Sequence, residues 1–356
     1  MKYRNVVLQD NITVTAAGTT TYDINLADVI SRLQFKFNIT NGAAAPALIA
    51  HPARAITRIE VIDGSHTIAS LSGEELMAEN YYDHGVAPYS YLNAVTNTDC
   101  IINMNLDFGR WLWDNELAFD PKRYMNPQIR VTQNRLAYAT DAAAAFMTIT
   151  ADVFDEKQVS PKGFIKRHEV TTWTPAVNTI NYAALPTDFP IRALFAAGYA
   201  TTTNYSAQIR SMKLLEDQAK KIPLDSLVRH YIGNLMSDYQ PITEQVVLVG
   251  SDTIYTMASW DVHWLAANTA AADLSLTSQT ADTLIMVNAN AAARSEGIAH
   301  GYVPFHTIPV YFGNKNDLDD WYDTSNIKNL ELQTLGAAAV GAAPVGRIHL
   351  EQLVPF

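Results

Sequence analysis

"RIEVIDGSHTIASLSGEEL", residues 58–76, alternates apolar and polar side chains on both sides of Asp63-Gly64. Period-two alternation marks a strand with one buried face, and Asp-Gly is a favoured hairpin turn. The end of the stretch changes character. Ser72 with Glu75 fits a capping box, Leu76, Met77 and Tyr81 follow, and Gly85 offers a stop. The unit reads strand, turn, strand, short helix.

The same unit recurs at "SMKLLEDQAKKIPLDSL", residues 211–227. Ile59 aligns with Met212 and Leu71 with Leu224, both 153 positions apart, and a two-residue gap then brings Leu76 to Leu227. A second helix is expected from Asp225 as cap through Leu227, Val228, Tyr231 and Ile232 to Gly233. Three later segments echo in the same order. "NMNLDFGRWLWDN" (103–115), "PQIRVTQN" (127–134) and "AFMTITADVF" (145–154) match "IPVYFGNKNDLDDW" (308–321), "KNLELQT" (328–334) and "GRIHLEQLVPF" (346–356). Phe108 and Phe312 stand 204 positions apart, Ile129 and Leu330 201, and Met147 and Ile348 201. The growth from 153 to 201 predicts a loop insertion in the second copy, at about 233–307.

Alternation dominates elsewhere too, as in Ile102–Phe108 and Met147–Val153, and no long helices alternate with strands. An all-β chain built by duplication is expected. Its first domain spans 1–158, a charged linker 159–170 and the second domain 171–356. Lys157, Lys162, Lys166, Arg167 and His168 in the surrounding stretch 155–170 read as a solvated run or as a mark for an anionic partner.

Two similar β domains in one chain of low charge resemble the double jelly-roll major capsid protein family of tailless icosahedral, membrane-containing viruses of bacteria and archaea. The residues that carry the resemblance are "AITRIEVIDGSHTIASLSGEELMAENYYDHG" (55–85) and "FGNKNDLDDWYDTSNIKNLELQTLG" (312–336). The resemblance implies two tandem eight-stranded jelly-roll β-sandwiches with short helices in the connections. It also implies a non-enzymatic coat protein whose homotrimers form pseudo-hexagonal capsomers of an icosahedral shell. Neighbouring capsomers, minor capsid or vertex proteins and an internal membrane would be its partners. The chain would sit in the virion, after a stage in the host cytoplasm. Lys2 and Arg4 are candidates for lipid headgroups. A receptor- or carbohydrate-binding spike or appendage subunit and a sandwich glycosidase or lyase stand as alternatives, since both use β-sandwiches.

Composition narrows the function classes. Charged residues make up 17% of the 356, below the usual quarter, and large surfaces held against partners would explain the deficit. A net charge of −11 disfavours a grip on nucleic-acid phosphates. Cys100 is the only cysteine, which excludes an internal disulfide and a multi-cysteine metal site. The N-terminus lacks the apolar core of a signal peptide, so folding in a cytoplasm is expected.

Several short motifs imitate chemistry. Asn314-Lys315-Asn316-Asp317 spells a guanine-recognition pattern, yet none of the 16 glycines is followed by lysine, so no phosphate loop accompanies it. Asp107-Phe108-Gly109 imitates a kinase metal tripeptide without its partners. No cofactor or small-molecule substrate is expected. Asp317, Asp319 and Asp320, with Asn314, Asn316 and Asp323 nearby, carry oxygen donors suited to Ca²⁺, but they lack EF-hand spacing. Solvation or capping explains them as well. Asp261 and His263, with His300 and His306, lack zinc spacing. Glu74 and Glu75 suit a helix start better than a glycosidase pair, and Ser72 with His66 has no nucleophile elbow. Trp111 with Trp113, and Trp260 with Trp264, fit packing or a binding platform.

Overall fold

The computed structural model describes residues 1–43, 48–199, 205–249, 251–259, 263–268, 275–276, 284–288, 294–340 and 344–356. The first half runs β1 (Tyr3–Thr13), β2 (Ala17–Asp23), β3 (Ile30–Thr40), β4 (Ile56–Asp63), β5 (His66–Leu71), helix α1 (Gly73–His84), β6 (Ser90–Asn93), β7 (Asp99–Asp107), β8 (Pro127–Asn134) and β9 (Ala144–Phe154). The second runs β10 (Gly163–Trp173), β11 (Ile180–Leu185), β12 (Ile191–Tyr199), α2 (Tyr205–Gln208), β13 (Ile209–Glu216), β14 (Lys221–Leu227) and α3 (Val228–Asp238). After α3 come β15 (Ile242–Val249), β16 (Ser251–Tyr255), β17 (His263–Asn268), β18 (Ser275–Leu276), β19 (Leu284–Asn288) and β20 (Arg294–Gly301). The chain closes with β21 (Thr307–Tyr311), β22 (Leu330–Gly336) and β23 (Val345–Pro355).

Strand order makes the duplication explicit. In the first half β1-β9-β3-β7 lie side by side, and β2-β8-β4-β5 form the other layer. In the second, β10-β23-β12-β21 and β11-β22-β13-β14 repeat both orders strand for strand. Even an isolated bridge is repeated. Ile30 pairs with Phe119 at the start of β3, and Ile191 pairs with Tyr322 at the start of β12. Inward-facing residues of each strand, such as Leu33, Phe35 and Phe37 of β3, are buried as the alternation predicts. The apolar core is continuous from one half to the other.

The halves also share sheets. β5 pairs in parallel with β10 through Ala69↔Arg167 and Ser70↔His168. β6 pairs in parallel with β15 through Tyr91↔Gln245, Leu92↔Val246 and Asn93↔Val247. Two eight-stranded sheets therefore cross from one half into the other.

Local chemistry explains the helix between strands. Ser72 accepts from the Glu75 amide and Glu75 accepts from the Ser72 amide, the expected capping box. Gly85 ends α1 at φ 73°, where a side chain would be strained. The second copy differs in detail. Ile59 lies opposite Leu71, whereas Met212 lies opposite Ser226, so Leu71 corresponds to Ser226 and not to Leu224. The turn after β13 is two residues longer, and Asp217, Gln218 and Ala219 take positive φ there. Helix α3 starts at Val228 without a side-chain cap, while Asp225 remains in β14 and Gly233 lies inside the helix. Tertiary contacts hold this helix without local capping.

Two expectations about boundaries change. Residues 163–170, expected as linker, belong to β10, whose charged outward side chains disguise a strand as a solvated run. Between Asp238 and Thr307 the chain carries β15 to β20, where a loop was expected. The side chains of Trp260, Asp261, His263 and Trp264 lie outside the described residues.

Candidate functional site

The functional geometry centres on α1. Its sequence is buried on nearly every side, including Glu75, Met77, Glu79, Asn80, Tyr81 and Tyr82. One side packs on the first sandwich, where Asn80 Nδ2 donates to Asn105 O at 2.6 Å and Asn105 N donates back to Asn80 Oδ1 at 2.7 Å. The other side carries Glu75, Glu79, Tyr82 and Asp83 at helical spacing, and it meets the outward face of β10-β23-β12-β21.

Ionic contacts fill that joint. Arg167 Nη2 donates to Asp83 Oδ2 at 2.8 Å, and Nε donates to Glu351 Oε1 at 3.0 Å, with Glu79 Oε2 2.9 Å from the same Nε. Arg192 Nη1 lies 2.8 Å from Asp83 Oδ1 and also donates to Glu351 Oε2. All five residues in these pairs are essentially removed from solvent. Burial alone would raise the Asp83 carboxyl, but Arg192 and Arg167 outweigh it and hold Asp83 below the usual range. Glu79 goes the other way. Burial, reinforced by Glu351, pushes it well above the usual range and favours the neutral acid. His349, stacked on Phe195 with ring centroids 4.7 Å apart, is held down to about 3 by burial and stays neutral.

A buried ion cluster adds less stability than its contacts suggest, because each charge has lost its water. Its stronger effect is on register: shifting α1 against the sheet would leave charges unpaired. The Asn-Lys-x-Asp loop reinforces the register. Lys315 Nζ donates to Tyr82 O at 2.5 Å and Asp83 O at 3.3 Å, the open carbonyls at the end of α1. Lys315 O in turn accepts from Arg192 Nε at 3.0 Å and Trp321 Nε1 at 3.2 Å. The guanine-like motif is a clamp between halves.

The other candidates resolve by position. Asp317 Oδ1 accepts from Asp319 N at 3.1 Å, and Asp320 Oδ2 accepts from Asn314 N at 3.3 Å. Among the described residues no three His, Cys, Asp or Glu side chains converge as a metal site. Glu74 joins Arg54 at 2.8 Å and Arg347 at 3.6 Å beside a cavity of about 300 Å³. Arg4 pairs with Asp28 at 2.5 Å. Trp113 packs on Tyr3 and Phe154, while Trp111 is 45% exposed under the Arg110 guanidinium. Arg167 corrects the solvated reading of 155–170, for it is 1% exposed. Asp83, Arg192, His349 and Glu351 were not singled out by sequence, and only the alternation of their strands hinted at an outward face.

That outward face has an open counterpart. Gln34, Lys36, Asn103, Asn105, Thr148 and Thr150 of the first sandwich line a cleft of about 840 Å³, rimmed by Val86, Tyr89 and Trp111.

No family model matches the chain, and no curated protein matches it in sequence. Solved structures do match in shape along the whole length. The major capsid protein of Sulfolobus turreted icosahedral virus superposes with a TM-score of 0.66 at 12% identity, covering 100% of this chain and 98% of that one. The chain has the double jelly-roll fold of viral major capsid proteins. The major capsid protein P2 from bacteriophage PM2 gives a TM-score of 0.54 at 10% identity over 99% and 98% of the two chains. The PBCV-1 virus capsid chain gives 0.57 at 12% identity over 99% and 93%. In double jelly-roll terms, α1 follows the fifth strand of the first roll and lies across the second roll's outer sheet.

Proposed function

We propose that this double jelly-roll chain is a coat subunit that trimerises into pseudo-hexagonal capsomers and builds an icosahedral shell in the virion. The observation that carries this reading is whole-length: the match to a major capsid protein covers 100% of this chain and 98% of the other. The two rolls are its domains, one ending near residue 158 and the other running from Gly163 to Phe356. Its work in this reading is assembly, and the buried ion pairs at the seam, Arg167–Glu79 and Arg192–Asp83, serve to hold one roll against the other. Neighbouring capsomers, minor or vertex proteins and an internal membrane are the partners this role calls for.

Light scattering and negative-stain electron microscopy of the purified chain test the proposal. A species of three times the 39.3 kDa chain with a hexagonal outline is expected. A monomer at all concentrations that binds glycans, or turnover lost on changing one carboxylate, would overturn it.

A further inference from the structure

Duplication has left two surfaces without the counterparts their twins possess. The pairs Arg167↔Glu351 and Val7↔Thr150 hold the same place in the two strand orders. Val7 is thus the counterpart of Arg167, Thr150 of Glu351, and by the same register Thr148 of His349. The second roll's trio lies buried under α1, with Arg167 at 1% exposure. In the first roll Val7 is 56% exposed, and Thr148 and Thr150 face the open cleft.

The helices show the complementary difference. Matching the cap positions Ser72 and Leu227 sets α3 155 positions after α1. Inward residues then correspond, Met77 to Ile232 and Asn80 to Leu235, all buried. The stripe that α1 turns to the second roll, Glu75, Glu79, Tyr82 and Asp83, corresponds to His230, Asn234, Ser237 and Asp238. All four of these are exposed. Met236, 40% exposed, lies beside them.

One chain therefore holds a sheet face without its helix and a helix stripe without its sheet. Its own seam displays the joint that such a pair forms. We infer that α3 of one copy docks on the outward β1-β9-β3-β7 face of a second copy of this chain. The contact repeats between chains what α1 makes within one. This inference rests on the coat-subunit reading and specifies the contact inside its capsomer. The contact is head-to-tail, different surfaces on the two copies, and such contacts close into a ring when the rotation permits. Its chemistry differs from that of the seam. Val7, Thr148 and Thr150 stand where the seam has Arg167, His349 and Glu351, so these three positions bring no charge to the contact, and Lys36 beside Thr148 is the charged side chain the helix would meet. Val86, Tyr89 and Trp111 at the cleft rim supply apolar area for the approaching helix.

Engineered cysteines test the placement. Val7→Cys with Asn234→Cys places a thiol at each position that in the seam carries Arg167 or Glu79, and the native Cys100 is buried. Because an Arg–Glu pair spans more than a disulfide can, a bismaleimide with a short flexible spacer should join the double variant into a covalent trimer on a denaturing gel, while each single variant runs as one chain. Thr150→Arg should weaken trimer formation at least tenfold with an unchanged circular dichroism spectrum. If the unmodified chain is trimeric but the pair does not cross-link, the surfaces are wrong and the coat reading stands. Cross-linking by either single variant would mean a two-fold contact and would also overturn the inference. An unmodified chain that stays monomeric would remove both.

Discussion

Arg167 on β10 and Asp83 in the last turn of α1 meet at 2.8 Å across 84 residues of sequence and across the seam between the rolls. Removing the guanidinium would leave Asp83 and Glu351 short of a buried counter-charge. Arg167→Ala is expected to destabilise the chain by about 3–5 kcal/mol. Glu79→Gln should cost less than about 1 kcal/mol, because the buried Glu79 carboxyl is held toward its neutral form and an amide is nearly isosteric. Urea titrations of both variants check the contrast. Equal losses would contradict the assigned protonation.

Acid should weaken the fold earlier than carboxylates alone would dictate. His349 is held down to about 3 and His168 to about 4, in each case chiefly by burial, against an ordinary 6.5. Between those values the unfolded chain takes up protons that the folded chain refuses. Their stabilising contribution is complete above pH 6.5 and lost progressively as pH falls toward 3. Glu79, pushed up, has the opposite sign and offsets part of this above pH 4.5. Melting temperatures of wild type and His349→Gln between pH 7 and pH 4 measure the effect. The variant's curve should be flatter, and parallel curves would refute the assignment.

Lys315→Met should leave GTP irrelevant and α1 looser. The side chain caps the carbonyls of Tyr82 and Asp83, so its loss is expected to cost about 1 kcal/mol. Hydrogen exchange should quicken at the amides of His84 and Gly85. Adding GTP to the wild type should not shift its melting temperature, since a ligand that bound the folded state would raise it.

Gly109 and Gly313 stand at equivalent exits from β7 and β21, and both are crowded. A Cβ on Gly109 would lie 2.4 Å from Leu117 O, and one on Gly313 2.7 Å from Asp320 O. Alanine at either position is expected to cost about 1–3 kcal/mol through lack of space. Gly233→Ala, on the exposed side of α3 with nothing within 4 Å, should instead stabilise the unassembled chain by about 0.5–1 kcal/mol. Thermal melts of the three variants decide.

The Phe-Gly exits explain why the duplication was legible. A strand that ends against its own following connection needs the same small residue in both copies, and the alternating runs on either side keep one apolar phase. Helix α1 was equally legible, because capping chemistry is local. What failed were features set by distant partners. Arg167 reads as a solvated cation because the carboxylates that neutralise it come from a helix far earlier and from the last strand. Helix α3 has Leu227 at its cap position with no side-chain cap bond, so the sequence pointed two residues early, to Asp225. The longer turn at 217–220 mimicked a simple offset and displaced the pairing of Leu71 by two residues.

The parallel pairing of β5 with β10 and of β6 with β15 has a mechanical consequence. A hinge between the rolls would have to shear backbone hydrogen bonds in both layers at once, while also pulling ion pairs apart in a buried pocket. Bending is thereby suppressed in the direction in which two beads on a string would normally flex. Pressure on one roll passes to its twin through the peptide backbone, and the molecule responds as one rigid plate.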